Sequence, residues 1–185
     1  QRYWPADIHL IGKDILRFHA IIWPAMLLSA SLPLPKTIAV HGFVTVGGEK
    51  MSKSIGNVVD PFKIIEKYDS EVVRYYLLRE IPSDEDGDFS EEKLKERYNG
   101  DLANGLGNLV QRVATLIENN MDSKLIYDGK LIEPDVAKKL KELQTKYATN
   151  LNTFRLHEAL ANVWELIALA NVYVDDKKPW AAVKY

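Results

Sequence analysis

The chain has 185 residues, enough for one ordinary domain or one and a half small ones, and its 46% hydrophobic and 27% charged residues are the make-up of a globular protein. Its 24 basic and 26 acidic side chains leave a formal charge of −2, so any contact with nucleic acid must come from a local patch rather than a global field. The absence of cysteine excludes disulfides and thiolate metal sites within these residues.

The four histidines, His9, His19, His41 and His157, show no metal-ligand spacing, so no metal site is expected here. The most apolar run, residues 20–28, is far short of a membrane span and contains Pro24, so no membrane partner is expected either. Together with the missing cysteines, this favours a cytoplasmic setting. Gln1 in first place, and a last stretch KKPWAAVKY that stops in mid-helix, read as cut ends.

In chain order, residues 7–11 (DIHLI) predict a short buried strand closed by Gly12. Asp14 is placed to cap a helix running towards Ala30, in which Pro24 either kinks the helix or restarts it. Residues 37–46 (TIAVHGFVTV) are β-branched and apolar, hence a strand or hairpin, and strand–helix–strand favours a parallel α/β sheet. Gly47-Gly48 ends that run, and the polar loop EKMSKSIGN follows.

Pro61 then opens a helix behind Asp60, and a second helix covers residues 70–80 with Val72, Val73, Tyr76 and Leu77 as its apolar stripe. The acidic residues 83–88 (SDEDGD) mark a turn. Beyond Glu91 the pattern is helical over about 91–98, 100–120, 134–150 and 153–174, with a new start at Pro179. Residues 119–133 form a linker in which Asp128-Gly129 makes a short turn or hairpin. The change from mixed to helical character falls near Tyr98.

The most informative stretch is Lys50-Met51-Ser52-Lys53-Ser54. A flexible loop with two lysines and two hydroxyls suits a polyphosphate, since lysines supply point charge and hydroxyls and backbone N–H groups donate hydrogen bonds. A generic pattern of this kind also fits a solvated basic loop. All five letters, however, reproduce KMSKS, whose chance occurrence in a chain this long is on the order of one in ten thousand. With the continuation IGNVVDP, the stretch resembles one of the two signatures of the class I aminoacyl-tRNA synthetases. The resemblance implies that Lys50 and Lys53 act in catalysis, with Lys53 and Ser52 on the phosphates of ATP accompanied by Mg2+. The second signature, HIGH, is absent, so these residues alone are not expected to make an adenylate.

KMSKS does not select the amino acid, and isoleucine, valine and leucine enzymes share it. The upstream stretch WPADIHLIGKDILRFHAIIWPAML resembles the methionyl branch of the family. Physically, Gly12 lets the backbone approach a nucleoside, and the Asp14 carboxylate can accept from both ribose hydroxyls, a role compatible with an N-cap. Ile15, Phe18, His19 and Ile22 share one face of a regular helix, which fits plain core. The resemblance implies instead that Ile15, Phe18 and His19 line a methionine pocket, where a thioether gains from aromatic contacts. It also implies that the backbone near Val44 meets the adenine edge.

Taken at 100° per residue, Leu102, Leu106, Leu109, Val110, Val113, Leu116 and Ile117 form an apolar arc, opposite Asn104, Asn108 and Arg112. Gly105 and Gly107 each cost roughly 1 kcal/mol relative to alanine in a helix, a sacrifice that points to a local purpose. A solvated polar face fits this pattern. Base recognition fits it too, with the glycines admitting a ribose–phosphate chain. Trp180, beside Pro179, is either a stacking platform or a core residue, and Trp164 is core by its neighbours.

In the methionyl branch, a matching Asn-x3-Asn-x3-Arg helix and a later Pro-Trp contribute to anticodon reading, which would make Asn104, Asn108, Arg112 and Trp180 the anticodon-binding set. The resemblance implies an α/β Rossmann-like half domain followed by an all-α bundle. Residues 1–56 would be the C-terminal half of the catalytic domain with its KMSKS loop, 57–98 a connecting stem-contact module, and 99–185 the anticodon-binding bundle. The implied activity is ATP-dependent activation of methionine and its transfer to tRNA(Met). A sister enzyme for valine, isoleucine or leucine, a tRNA-binding module without catalysis, and a nucleotide-binding α/β protein without RNA are the competing readings.

Overall fold

The computed structural model describes residues 3–120, 128–129 and 132–182. Cα packing divides the chain into two compact units, Gln1–Ser90 with Phe154–His157, and Glu91–Thr153 with Glu158–Tyr185.

In the first unit, β1 (Ile8–Gly12) pairs in parallel with β2 (Thr37–His41), in register from Ile8↔Thr37 to Gly12↔His41. Parallel neighbours need a crossover, and here it is helical. The crossover is not the regular helix expected. A 3₁₀ turn (Lys13–Ile15) leads into a π-helical turn (Phe18–Ile22), and α1 (Trp23–Ser29) follows. Pro24 stands in the first turn of α1. Its ring can neither donate to nor fit against the preceding turn, and the wider winding just upstream, with Trp23 N–H donating to the Phe18 carbonyl, accommodates it. Pro24 therefore restarts the helix.

Residues 37–46 are two strands, with Gly42 and Phe43 between β2 and β3 (Val44–Val46). Gly42 has no room for a side chain, because a Cβ there would overlap the Glu85 carbonyl. β3 pairs antiparallel with β4 (Glu49–Lys50) across Gly47-Gly48, whose φ of +64° and +78° suit a two-residue hairpin turn. On its other edge β3 pairs in parallel with β5 (Gly87–Asp88), inside the stretch expected to be only a turn.

The helices α2 (Pro61–Tyr68) and α3 (Ser70–Glu80) fall where the sequence puts them. Asp60 caps α2, accepting from Phe62 N–H at 3.0 Å, and Asp69 caps α3, accepting from Glu71 N–H at 3.1 Å. Of the predicted α3 stripe, Val73 and Tyr76 are buried. The Tyr76 ring meets Phe89 edge-on with centroids 5.5 Å apart, and its hydroxyl accepts from Ser90 N–H at 3.0 Å. Ile11, Leu27 and Ala39 complete the core between sheet and crossover.

In the second unit, α4 (Glu91–Arg97) runs into a π-helical segment (Tyr98–Gly107) and on into α5 (Asn108–Asn120). The 100° wheel therefore fails over its first part. Leu106 and Val110, placed in the apolar arc by the sequence, are 39% and 57% exposed. Gly105 serves a close approach inside the protein: a Cβ there would lie 3.0 Å from the Trp164 ring. α6 (Pro134–Asn152) and α7 (Leu156–Lys177) run antiparallel. Their pairing is shown by Asn150 Nδ2 donating to Asn162 Oδ1, Lys139 with Glu165, and Lys177 with Glu133. A short α8 (Pro179–Ala182) follows. Among the described residues of this unit, Leu94, Leu143 and Ala159 are the buried apolar ones. The expected linker turn falls largely outside the described residues. Among the described residues no helix is long and apolar enough to cross a membrane.

Leu94 is fully buried while Val110 is 57% exposed. Leu94→Ala should lower unfolding free energy by about 2–5 kcal/mol, and Val110→Ala by no more than about 0.5 kcal/mol. Chemical denaturation of both variants measures this; equal losses would put Val110 back in the core.

Candidate functional site

Gly12 and His41 end the two parallel strands side by side, at the carboxyl edge where α/β proteins bind ligands. A Cβ on Gly12 would sit 2.9 Å from Asp14 Oδ1, the end of an exposed side chain, and 3.7 Å from the His41 ring, so this backbone runs close to both groups with an ordinary φ. Asp14 is not the helix cap. That position is Gly12, which has no side-chain capping bond, and Asp14 lies within the 3₁₀ turn with its carboxylate exposed. It is open to accept hydrogen bonds.

The loop signature reaches the same edge. Lys50 ends β4, and its Nζ lies 3.9 Å from Asp14 Oδ2 and 3.9 Å from the centroid of the Phe43 ring. Beyond it, Ile55 and Gly56 N–H donate to the Ser52 carbonyl at 3.2 and 3.1 Å, and Gly56 takes a φ of +76°. Ser54 N–H donates to Ser52 Oγ at 3.3 Å, and the two hydroxyls share a hydrogen bond at 2.7 Å. Lys53 is exposed within that turn, and no ion pair among the described residues holds it. The structure thus gathers Gly12, Asp14 and Lys50, and leaves Lys53 and the Ser52 hydroxyl on the neighbouring turn.

The sequence reading overlooked Asn57. Its Oδ1 accepts from Ser52 N–H at 2.8 Å and its Nδ2 donates to the Lys50 carbonyl at 3.3 Å, so one amide bridges the loop as a strand neighbour would. The available signal was an asparagine just past a glycine turn, a type that hydrogen-bonds to nearby backbone. Val44 offers backbone only. β5 takes the Phe43 and Thr45 carbonyls, and because successive peptide groups alternate sides, Val44's own groups face the other edge, beyond the residues paired with β4.

Phe18 and His19 line a cavity of about 360 Å³ together with His9 and Trp23. Ile15 lies outside that lining and is 42% exposed; what it contributes is its carbonyl, bonded to His19 Nδ1 at 3.0 Å. A carbonyl only accepts, so His19 carries its proton on Nδ1, and in the neutral ring Nε2 is left as an acceptor. His9 meets His19 edge-on at 5.9 Å, and Trp4 meets Trp23 edge-on at 5.9 Å. The sequence signal for His9 was its place on β1, next to the crossover helix.

In the second unit the Arg112 guanidinium pairs with Asp175 on α7 and stands 5.9 Å from the Trp180 ring centroid. Trp180 is 45% exposed, so it is not a core residue, while Arg112 is half-buried. Asn104 and Asn108 are both exposed, the first within the π-helical segment and the second opening α5. The structure therefore unites Arg112 with Trp180 and sets the two asparagines on solvent-facing backbone nearby in sequence.

Losing the Asn57 bridge removes two hydrogen bonds, each worth about 0.5–1.5 kcal/mol net. Asn57→Ala should speed amide hydrogen exchange across residues 50–56 several-fold while leaving the global unfolding midpoint in place. Unchanged exchange in the loop would show that Asn57 does not hold it.

Residues 1–114 match the family model described as tRNA synthetases class I (M). The methionine–tRNA ligase of Thermotoga maritima is 47% identical over 97% of this chain, and that of Brucella suis 46% identical over 98%. Among solved structures, Mycobacterium tuberculosis methionyl-tRNA synthetase in complex with methionyl-adenylate superposes with a TM-score of 0.90 at 43% identity, covering all of this chain. The chain spans 29% of the Thermotoga protein and 36% of the Brucella and Mycobacterium proteins. A five-letter loop signature set beside an open carboxylate, in a match that runs the length of the chain, settles the kinship: the chain belongs to the class I tRNA synthetases (M).

Proposed function

We propose that this segment supplies part of the ATP and methionine sites and the anticodon-reading helices of an enzyme that activates methionine with ATP and transfers it to tRNA(Met). The observation that carries the reading is Lys50 at 3.9 Å from Asp14, at the carboxyl edge of a parallel strand pair. Asp14 would accept from the ribose hydroxyls, Gly12 would admit the nucleoside, and the Val44 backbone would meet the adenine edge. Lys50, Lys53 and Ser52 would meet the polyphosphate, whose charge grows on the leaving pyrophosphate as the carboxylate of methionine attacks the α-phosphorus. Magnesium would arrive on the phosphates of ATP as part of the substrate.

Methionine would sit in the cavity of Phe18, His19, His9 and Trp23, where ring edges suit a thioether. Residues 1–56 would be the later half of a Rossmann-like catalytic domain, 57–98 a module against the tRNA stem, and 99–185 the anticodon-binding bundle. The parallel β1–β2 pair with its helical crossover supports the first assignment, and the Arg112–Trp180 pair supports the last. A cytoplasmic site of action fits translation. A tRNA-binding module without chemistry is less well supported, because it leaves the gathering of Gly12, Asp14 and Lys50 without a purpose.

In a full-length protein carrying this segment, Lys53→Ala should lower methionine-dependent ATP–pyrophosphate exchange by about 10²–10³-fold, with little change in methionine affinity. Near-normal turnover would remove the loop from catalysis. For RNA reading, alanine at Asn108, Arg112 or Trp180 should cost about 1–3 kcal/mol of charging efficiency on a tRNA with the CAU anticodon. The same variants should lose little more on a tRNA already altered at those bases. Strictly additive losses would make this face ordinary solvated surface.

A further inference from the structure

Residues 83–88 carry four carboxylates, at Asp84, Glu85, Asp86 and Asp88, and by composition they make a solvated turn. In the structure they lie along β3 instead. Gly87 N–H donates to the Phe43 carbonyl at 3.0 Å and Phe89 N–H to the Thr45 carbonyl at 2.8 Å. Two of the carboxylates then bond across. Asp88 Oδ1 accepts from Gly48 N–H at 2.8 Å and from the Thr45 hydroxyl at 2.9 Å, which fixes the hairpin turn leading into the signature loop. Asp86 Oδ1 accepts from Phe43 N–H at 2.8 Å, and its Oδ2 accepts from Lys13 Nζ at 2.6 Å.

The Phe43 ring is where these bonds lead. Lys50 Nζ stands 3.9 Å and Lys13 Nζ 4.6 Å from its centroid, so two ammonium groups share one aromatic ring. They repel each other, and either alone would be drawn to the ring. With its charge matched by Asp86, Lys13 is held to its own side and Lys50 keeps the nearer place, beside Asp14. The hydrogen bond from Lys13 and the one from Phe43 N–H hold the Asp86 carboxyl below its usual range, and Lys50 adds to the same effect. The Lys13 and Asp86 side chains are 45% and 42% exposed, so the ion pair adds little to global stability. Its effect is on geometry.

We infer that Asp86 is a positioning residue for Lys50: by holding Lys13 and the Phe43 backbone, it reserves the Phe43 ring as the seat from which the signature lysine meets the phosphates. This deepens the ATP-site reading and rests on it. Asp86→Asn keeps an oxygen for Phe43 N–H but loses the charge that restrains Lys13. In a full-length protein carrying this segment, the variant should lower kcat/KM for ATP about tenfold in pyrophosphate exchange. The KM for methionine should stay within twofold and the unfolding midpoint should be unchanged.

Adding Lys13→Met removes the competing ammonium, so the double variant should recover to within about threefold of Lys13→Met alone. Amide hydrogen exchange over residues 50–54 gives a readout independent of turnover: faster in Asp86→Asn, restored in the double variant. Wild-type kinetics and exchange in Asp86→Asn would overturn the inference. So would a parallel loss in ATP and methionine constants with a lowered midpoint and no rescue, which would make residues 83–88 a structural staple only. A wild-type protein without methionine-dependent exchange would sink the ATP-site reading instead, and the hydrogen-exchange comparison would still decide the role of Asp86.

Discussion

Because β1 and β2 run parallel, in register from Ile8↔Thr37 to Gly12↔His41, both strands leave the sheet at the same edge, and the chain must cross back over it between them. That constraint fixes most of the first unit. The crossover must start at Gly12, which puts Asp14 within its first turn and Phe18 and His19 one turn further on. The second strand must end at His41, and only two residues, Gly42 and Phe43, separate it from the hairpin whose far end is Lys50. A carboxylate from the crossover and an ammonium from the hairpin therefore meet because of strand direction, although they are 36 positions apart in sequence.

The strength of that meeting matters as much as its place. Lys50 and Asp14 are 60% and 53% exposed at 3.9 Å, an ion pair of the kind that contributes at most about 1 kcal/mol. Such a contact orients the lysine without trapping it. The rest of the loop is held by hydrogen bonds from its own neighbours, Ser52, Ser54 and Asn57, so it keeps a defined shape while Lys53 stays free of ion pairs among the described residues. A weakly seated charge on a self-supporting loop suits the proposed contact with a polyphosphate, which would arrive, change its charge and leave.

What could be read from the sequence was whatever short-range rules control. Asp60 followed by proline at the head of α2, the apolar spacing of α3 and the end of β3 at Gly47-Gly48 all act within three or four residues, and α2 and α3 lie where those rules put them. The hairpin was not among them: Glu49-Lys50 read as loop and form β4. The five-letter loop signature is local as well. What could not be read depends on partners far along the chain. The acidic stretch becomes β5 because Asp86 and Asp88 bond to groups 40 or more positions away. Gly42 splits a promising strand because Glu85 packs against it. Asp14 loses the cap because the 3₁₀ turn starts at Lys13, two residues before a cap at Asp14 would start it, and Ile15 drops out of the pocket lining because the crossover is not wound at 3.6 residues per turn.

The same winding explains the helical unit. Gly100, Gly105 and Gly107 lie in one ten-residue π-helical segment, where a sequence wheel assumes even 100° steps. Wider turns displace every later side chain, which is how Leu106 and Val110 come to face solvent, and they need residues that tolerate the distortion. The glycines look at first like a concession to a ligand, but Gly105 is held close by the Trp164 ring, so that glycine serves packing. The polar side chains then follow from where α5 begins. With Asn108 at its first position, Arg112 stands one turn along, within reach of Asp175 on α7 and of the Trp180 ring. For the proposed base contact, an arginine already fixed between a carboxylate and an indole would lose less side-chain freedom than one moving in solvent. Distortion upstream and preorganisation downstream are thus two results of one local sequence choice.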